Sequence, residues 1–113
     1  MEPRRLRRLP RARVHGIEVP VAQGLRARLL GLALLRRERA GPGLLIPRCS
    51  SIHTFGMRFS LDLVFLDDEG RTMRDVRGIP RSRFVSCRGA ATVLEMPTGV
   101  YVAHDRGRLY AGN

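Results

Sequence analysis

The sequence predicts an α+β domain with a mostly antiparallel sheet. Three observations carry that reading. The length of 113 residues suits one domain. One stretch, Ala22 to Leu35, has apolar residues at helical spacing. After it come several short strand-like segments separated by turn signals. Apolar residues make up 43% of the chain but aromatics only 5%, with no Trp, so Leu, Val and Ile must fill the core.

In chain order, residues 1–13 read as a basic, flexible arm and residues 14–113 as the single domain. The arm holds six arginines and one glutamate, and it lacks periodicity. Val14 to Val21 is a strand candidate in which Ile17, Val19 and Val21 alternate with Glu18 and Pro20. Pro20 restricts that strand to an edge, or ends it. From Ala22 the period changes. Leu25, Leu29 and Leu32 form a stripe, with Arg26, Arg28, Arg36 and Arg37 largely off it. An amphipathic helix of about 14 residues is expected, ending near Glu38 to Ala40 before Gly41-Pro42-Gly43.

Beyond that break, Leu44 to Ile46 is a short strand and Leu61 to Leu66 is the clearest one. Asp67-Asp68-Glu69-Gly70 reads as a hairpin turn with Gly70 at positive φ, and Thr72 to Val76 as the return strand. Residues 78–90 look irregular. Ala91 to Met96 is another strand, stopped by Pro97 and Gly99. Val100 to Val102 and Leu109-Tyr110 are candidate late strands.

The longest apolar run, Leu29 to Leu35, has seven residues, whereas a spanning helix needs about 20. Pro10, Arg11, Arg13, His15 and Glu18 interrupt each window where a signal peptide would place its apolar run. Cys49 and Cys87 are too few for a disulfide scaffold or a closed four-thiolate zinc site. Free thiols in a cytoplasmic protein are expected. The net charge is +11 and every basic residue is Arg. That excess favours polyanions nonspecifically. Arg4, Arg5, Arg7, Arg8, Arg11 and Arg13 of the arm are the candidate nucleic-acid contacts.

Two carboxylates stand out because each interrupts an apolar strand. Asp62 shares a strand face with Val64 and Leu66, while Leu61, Leu63 and Phe65 point the other way. Glu95 lies among Val93, Leu94 and Met96. A carboxylate in such a place is buried or lines a pocket, and it needs donors or a cation. The stretch Cys49-Ser50-Ser51-Ile52-His53-Thr54-Phe55-Gly56-Met57-Arg58 is the densest in reactive types. Cys49 and His53 could form a nucleophile–base pair. With Cys87 and a carboxylate they could instead hold zinc. Neither spacing is diagnostic, and structural roles for these side chains stay open. His15 and His104 have no supporting constellation. Phosphate loops, dinucleotide fingerprints and nucleophile elbows are absent.

The chain resembles the DUF192 family, also called UPF0127, of small bacterial and archaeal proteins of unknown function. The likeness runs from about Val19 to Gly99. It is carried by Val21-Ala22 and Arg28-Leu29-Leu30-Gly31-Leu32, by Gly43-Leu44-Leu45-Ile46, by Cys49 through His53-Thr54-Phe55-Gly56-Met57, by Leu61-Asp62-Leu63-Val64-Phe65-Leu66-Asp67 with Gly70 in the turn, and by Cys87, Ala90 and Val93-Leu94-Glu95-Met96-Pro97-Thr98-Gly99. Ser60 stands where members often have Pro, and the Arg-rich arm is outside the shared region. The resemblance implies a curved, partly barrel-like sheet with one main helix. It also implies a small pocket of His53, Thr54, Asp62 and Glu95, with Cys49 and Cys87 nearby. A non-enzymatic domain binding a small ligand or a partner is the expected function, and no cofactor is expected. A metal- or thiol-dependent enzyme using Cys49, His53 and Cys87 is the alternative, and a nucleic-acid protein acting through the arm is the second alternative.

Overall fold

Six consecutive buried residues, Leu61–Leu66, make the strand around which the rest is arranged. The structure, a computed structural model, describes residues 4–24, 27, 28 and 31–100. It contains a short helix α1 (Arg4–Arg7) and strands β1 (Arg11–Val14), β2 (Ile17–Pro20), β3 (Leu44–Pro47) and β4 (Ser51–His53). Strands β5 (Leu61–Leu66), β6 (Thr72–Ile79), β7 (Phe84–Ser86) and β8 (Thr92–Pro97) follow. The main sheet runs β3-β8-β5-β6, with antiparallel neighbours throughout. Two antiparallel ribbons, β1-β2 and β4-β7, complete the strands among the described residues.

The alternation in β5 sorts the core into two layers. Leu61, Leu63 and Phe65 pack with Leu6, Leu32, Leu44, Ile52 and Met57 on one face. Val64 and Leu66 pack with Ile17, Val19, Leu94 and Met96 on the other. The β1-β2 ribbon covers this second face and is tied to β3 through Ala22 N–H donating to Leu45 O at 2.8 Å. With both faces covered, a strand reads as an unbroken apolar run, and Asp62 is the exception that has to be explained.

Several expectations change. The arm does not stand apart in its described part: Leu6 is only 2% exposed in the first core layer, and residues 11–14 are β1. The strand expected from Val14 is a hairpin, folded at His15 and Gly16 with φ of 50° and 82°. Positive φ at both central residues is the geometry of the tight turn that matches strand twist. His-Gly supplies it here in place of the commoner Asn-Gly.

The long amphipathic helix is also corrected. Residues 25, 26, 29 and 30 lie outside the described residues. Around them, Arg28 N–H donates to Gly24 O and Gly31 N–H to Ala27 O, so one helical turn forms. It ends at Gly31, which has φ of +52°, and Leu34 has φ of +69°. The chain then passes through extended Arg36 into a 3-10 turn, Arg37–Arg39. Leu32 and Ala22 reach the core, but Leu34 is exposed. Of the expected stripe, Ala22 and Leu32 are thus carried into the core on either side of a broken turn. Closure into a barrel is likewise unsupported: the main sheet is open, with β3 and β6 at its edges.

The Asp67–Gly70 turn is as expected, with Gly70 at φ of +83°. Its return strand β6 extends to Ile79, with a bulge where β5 is interrupted by Asp62. The stretch 78–90, which looks irregular in sequence, supplies β7, the partner of β4 in the second ribbon. Of the late strands, residues 101–113 lie outside the described residues.

Burial of Leu6 makes a direct prediction. Leu6→Ala should destabilise the protein by about 2–5 kcal/mol in chemical denaturation, as a fully buried leucine does. A loose arm would give no change.

Candidate functional site

Register decides which polar residues meet. Glu95 on β8 is paired with Leu63, whereas Asp62 is paired with Met96. Residues opposite each other share a sheet face. Glu95 therefore lies on the Leu63 face and Asp62 on the Met96 face. The two carboxyls expected in one pocket are separated by the sheet itself.

Asp62, 1% exposed, is saturated with donors. Its Oδ1 accepts from Gly78 N–H at 2.8 Å and from Thr98 Oγ1–H at 3.2 Å, and its Oδ2 from Gly99 N–H at 3.4 Å. Gly78 belongs to the β6 bulge, so the carboxylate clamps the bulge to the turn after β8. That use accounts for its burial without a ligand. Thr54 is equally occupied. Its Oγ1–H donates to Pro80 O at 2.8 Å, and the oxygen accepts from Arg83 N–H at 2.8 Å. It ties the loop after β4 to the segment leading into β7.

Glu95 differs. It is 3% exposed, and its Oε1 has no hydrogen-bond partner. Burial raises its pKa from the ordinary 4.5 to about 7, while a hydrogen bond from the Leu32 backbone N–H opposes that rise. The carboxyl packs directly against Gly31. A Cβ there would stand 2.9 Å from Oε1, at a φ that L side chains rarely adopt.

Above Glu95 opens a cleft of about 430 Å³. Leu32, Ile46 and Met57 supply apolar wall, and Arg28, Arg48, Cys49 and His53 supply polar groups. Arg28 Nη2 donates to Arg48 O at 2.6 Å, but its Nε is buried without a partner. Phe84 and His53, paired across the β4-β7 ribbon, border the opening. Cys49 Sγ–H donates to Ser51 O at 3.1 Å. Both cysteines are free thiols, and Cys87, opposite Ser50, is not part of the cleft wall.

The expected set thus divides. Glu95, His53 and Cys49 come together in the cleft; Thr54, Asp62 and Cys87 do not line it. Among the described residues, no group of three His, Cys, Asp or Glu side chains could hold a metal ion. Of the arm arginines, Arg5 is committed inward, with Nη2 donating to Ala33 O at 2.6 Å and to Gly31 O at 3.1 Å. It braces the loop that lies over Glu95. Arg13 donates to Gly16 O within its own hairpin, and Arg4, Arg7, Arg8 and Arg11 are exposed. Arg28, Arg48 and Gly31 were not singled out as site residues. Arg28 and Gly31 carry a signal in the family-like stretch Arg28 to Leu32, and Arg48 carries none. His15 is half-buried, and burial lowers its pKa; His104 lies outside the described residues.

The family model DUF192, described as Uncharacterized ACR, COG1430, matches residues 8–106. The chain belongs to the DUF192 family. The match begins inside the segment read as an arm, in agreement with β1 being part of the fold. Two solved structures resemble this DUF192 domain. One is a candidate transcription regulator from Sinorhizobium meliloti 1021, with a TM-score of 0.68 and 19% identity, covering 82% of this chain and 81% of that one. The other is a protein of unknown function from Novosphingobium aromaticivorans DSM 12444, with a TM-score of 0.62 and 16% identity, covering 88% and 89%. At these identities the likeness establishes the fold alone. No curated protein matches the chain.

The two carboxyls should behave differently. Glu95 holds its proton more tightly when folded, up to about pH 7, than its ordinary value of 4.5 when unfolded. Its contribution is fully present below the unfolded value and is lost as pH rises towards 7, about 3 kcal/mol in all. Wild type should therefore lose stability relative to Glu95→Gln across that interval, as read by urea denaturation at a series of pH values. Asp62→Ala should cost about 2–4 kcal/mol, because it leaves up to three donors without their acceptor. It should leave the pH dependence from Glu95 in place.

Proposed function

We propose that this DUF192 domain is a non-enzymatic small-ligand-binding module, with the ligand seated in the cleft over Glu95. One observation carries the reading: a buried carboxyl oxygen at the cleft floor has no donor. Leaving such an atom unsatisfied costs about 1–3 kcal/mol, and natural folds do not usually keep that cost without a use. The neighbouring Arg28 Nε has the complementary lack, a donor without an acceptor. A ligand carrying a hydrogen-bond donor beside an acceptor or anionic group would satisfy both. The cleft volume falls in the range of small-molecule sites.

The side chains around the cleft favour binding over chemistry. Cys49 directs its thiol hydrogen to Ser51 O, and Cys87 is not on the cleft wall. The free thiols suit a reducing compartment, so we place the protein in the cytoplasm. No helix among the described residues is long and apolar enough to cross a membrane.

A thermal-shift screen of amino acids, nucleotides and organic acids tests the proposal, with Glu95→Leu and Arg28→Met as the paired variants. Glu95→Leu should fold with stability within about 2 kcal/mol of wild type near neutral pH, because removing a costly buried carboxyl offsets the lost hydrogen bond. A compound that stabilises wild type should stabilise Glu95→Leu at least tenfold less tightly. Equal binding by Glu95→Leu, or no hit on wild type in the whole screen, would remove this reading.

A further inference from the structure

Charge along this chain is segregated in a way that the total of +11 conceals. Between Glu38 and Asp62 there is no acidic residue, and between Asp75 and Glu95 there is none. These two segments contain β4 and β7 and pair with each other through Ser51–Ser86, Ile52–Val85 and His53–Phe84. The ribbon they form, with its loops, carries exposed Arg48, Arg58, Arg81, Arg83 and Arg88. It is therefore a cationic surface with no internal counter-charge. Elsewhere arginines do meet carboxylates, as Arg71 meets Glu69 at 2.6 Å and Arg77 approaches Asp75 at 3.9 Å.

The same surface shows aromatic rings to solvent. Ile52 and Val85 point inward, so His53 and Phe84 stand on the outer face. Phe84 is 74% exposed and Phe55 is 55% exposed. The His53 and Phe55 rings lie 5.6 Å apart between centroids, tilted by 38°. Two of the four phenylalanines of an aromatic-poor chain are thus held outside its core, on a rigid base. Thr54 fixes that base, since its backbone and hydroxyl bind Arg83 on one side and Pro80 on the other.

Exposed rings on a ribbon whose strands and loops carry exposed arginines and no carboxylates match the chemistry of a single-stranded nucleic acid. Bases stack on ring faces without regard to sequence, and arginines follow the phosphates. A duplex keeps its base faces stacked inside, so it could use the arginines but not the rings. We propose that the β4-β7 face, and not the N-terminal arm, is a binding surface for single-stranded nucleic acid, with about three bases stacked on Phe84, His53 and Phe55. This surface borders the Glu95 cleft but does not depend on its carboxyl.

Fluorescence anisotropy of the full chain with fluorescein-labelled oligouridine tests the assignment, with a duplex of equal length and anionic phospholipid vesicles as competitors. Binding should be saturable, and steeply weakened by salt. Phe84→Ala should weaken it by about 5- to 100-fold, the loss of one stacked base. Arg81→Ser with Arg83→Ser should lower the salt slope by about 1.4. Arg4→Ser, Arg7→Ser and Arg8→Ser combined should change affinity less than threefold. Glu95→Leu should bind as wild type does, which separates this surface from the cleft ligand. Phe84 is exposed, so its variant should keep the wild-type circular dichroism spectrum and melting curve. An unchanged affinity in Phe84→Ala, duplex competing as well as single strand, loss confined to the arm variant, or preferential capture by vesicles would each overturn the proposal.

Discussion

Everything in this fold depends on β5 being covered on both faces. Six successive apolar or buried positions cannot face water on either side. One face is closed by the β1-β2 ribbon and the other by α1, the loop after Gly24 and the β4-β7 ribbon. That arrangement turns two ordinary carboxyls into special ones. Each lies on a central strand, and each must find partners or bear the cost of burial. Asp62 finds them in Gly78, Thr98 and Gly99. Glu95 finds the Leu32 amide but leaves Oε1 bare.

The loop over Glu95 shows how tightly that situation is maintained. Gly31 leaves room for the carboxyl, and Arg5 holds the carbonyls of Gly31 and Ala33 from the far side. A leucine at position 95 would suit the surrounding apolar side chains without any of this support. Stability by itself therefore does not explain the glutamate. The local consequence is a cleft floor that is polar, neutral at mildly acidic pH and close to its midpoint near neutrality. Arg28 and Arg48 keep positive charge beside it.

Some of this was legible beforehand. A carboxylate inside Leu-Asp-Leu-Val-Phe-Leu or Val-Leu-Glu-Met announces burial, and both are buried. The turn at Gly70 and the strands on either side follow from local preference. The shared pocket was not legible. Alternation tells which neighbours share a face within one strand, but whether Asp62 and Glu95 share a face depends on the pairing register between strands. A shift of one residue would have placed them together. The helix failed for a related reason. Helical spacing predicts a continuous helix, but Gly31 and Leu34 take positive φ, and the dip into the core at Leu32 is decided by what it packs against.

The ribbon β4-β7 is the strongest case of the difference. Strands of three residues carry too little pattern to be recognised alone, and they become strands only by finding each other across 35 residues of sequence, Ser51 to Ser86 in register. Composition and local pattern by themselves determined one domain of mixed class, a buried central strand, two buried carboxyls and a surplus of arginine. Tertiary structure alone decided which carboxyl is spent inside the fold and which faces a cleft. It also decided which arginines share a ribbon with exposed rings. Local sequence sets backbone preference and burial, but proximity between distant segments is settled by register and packing, where the competing arrangements differ by long-range contacts that no short window contains.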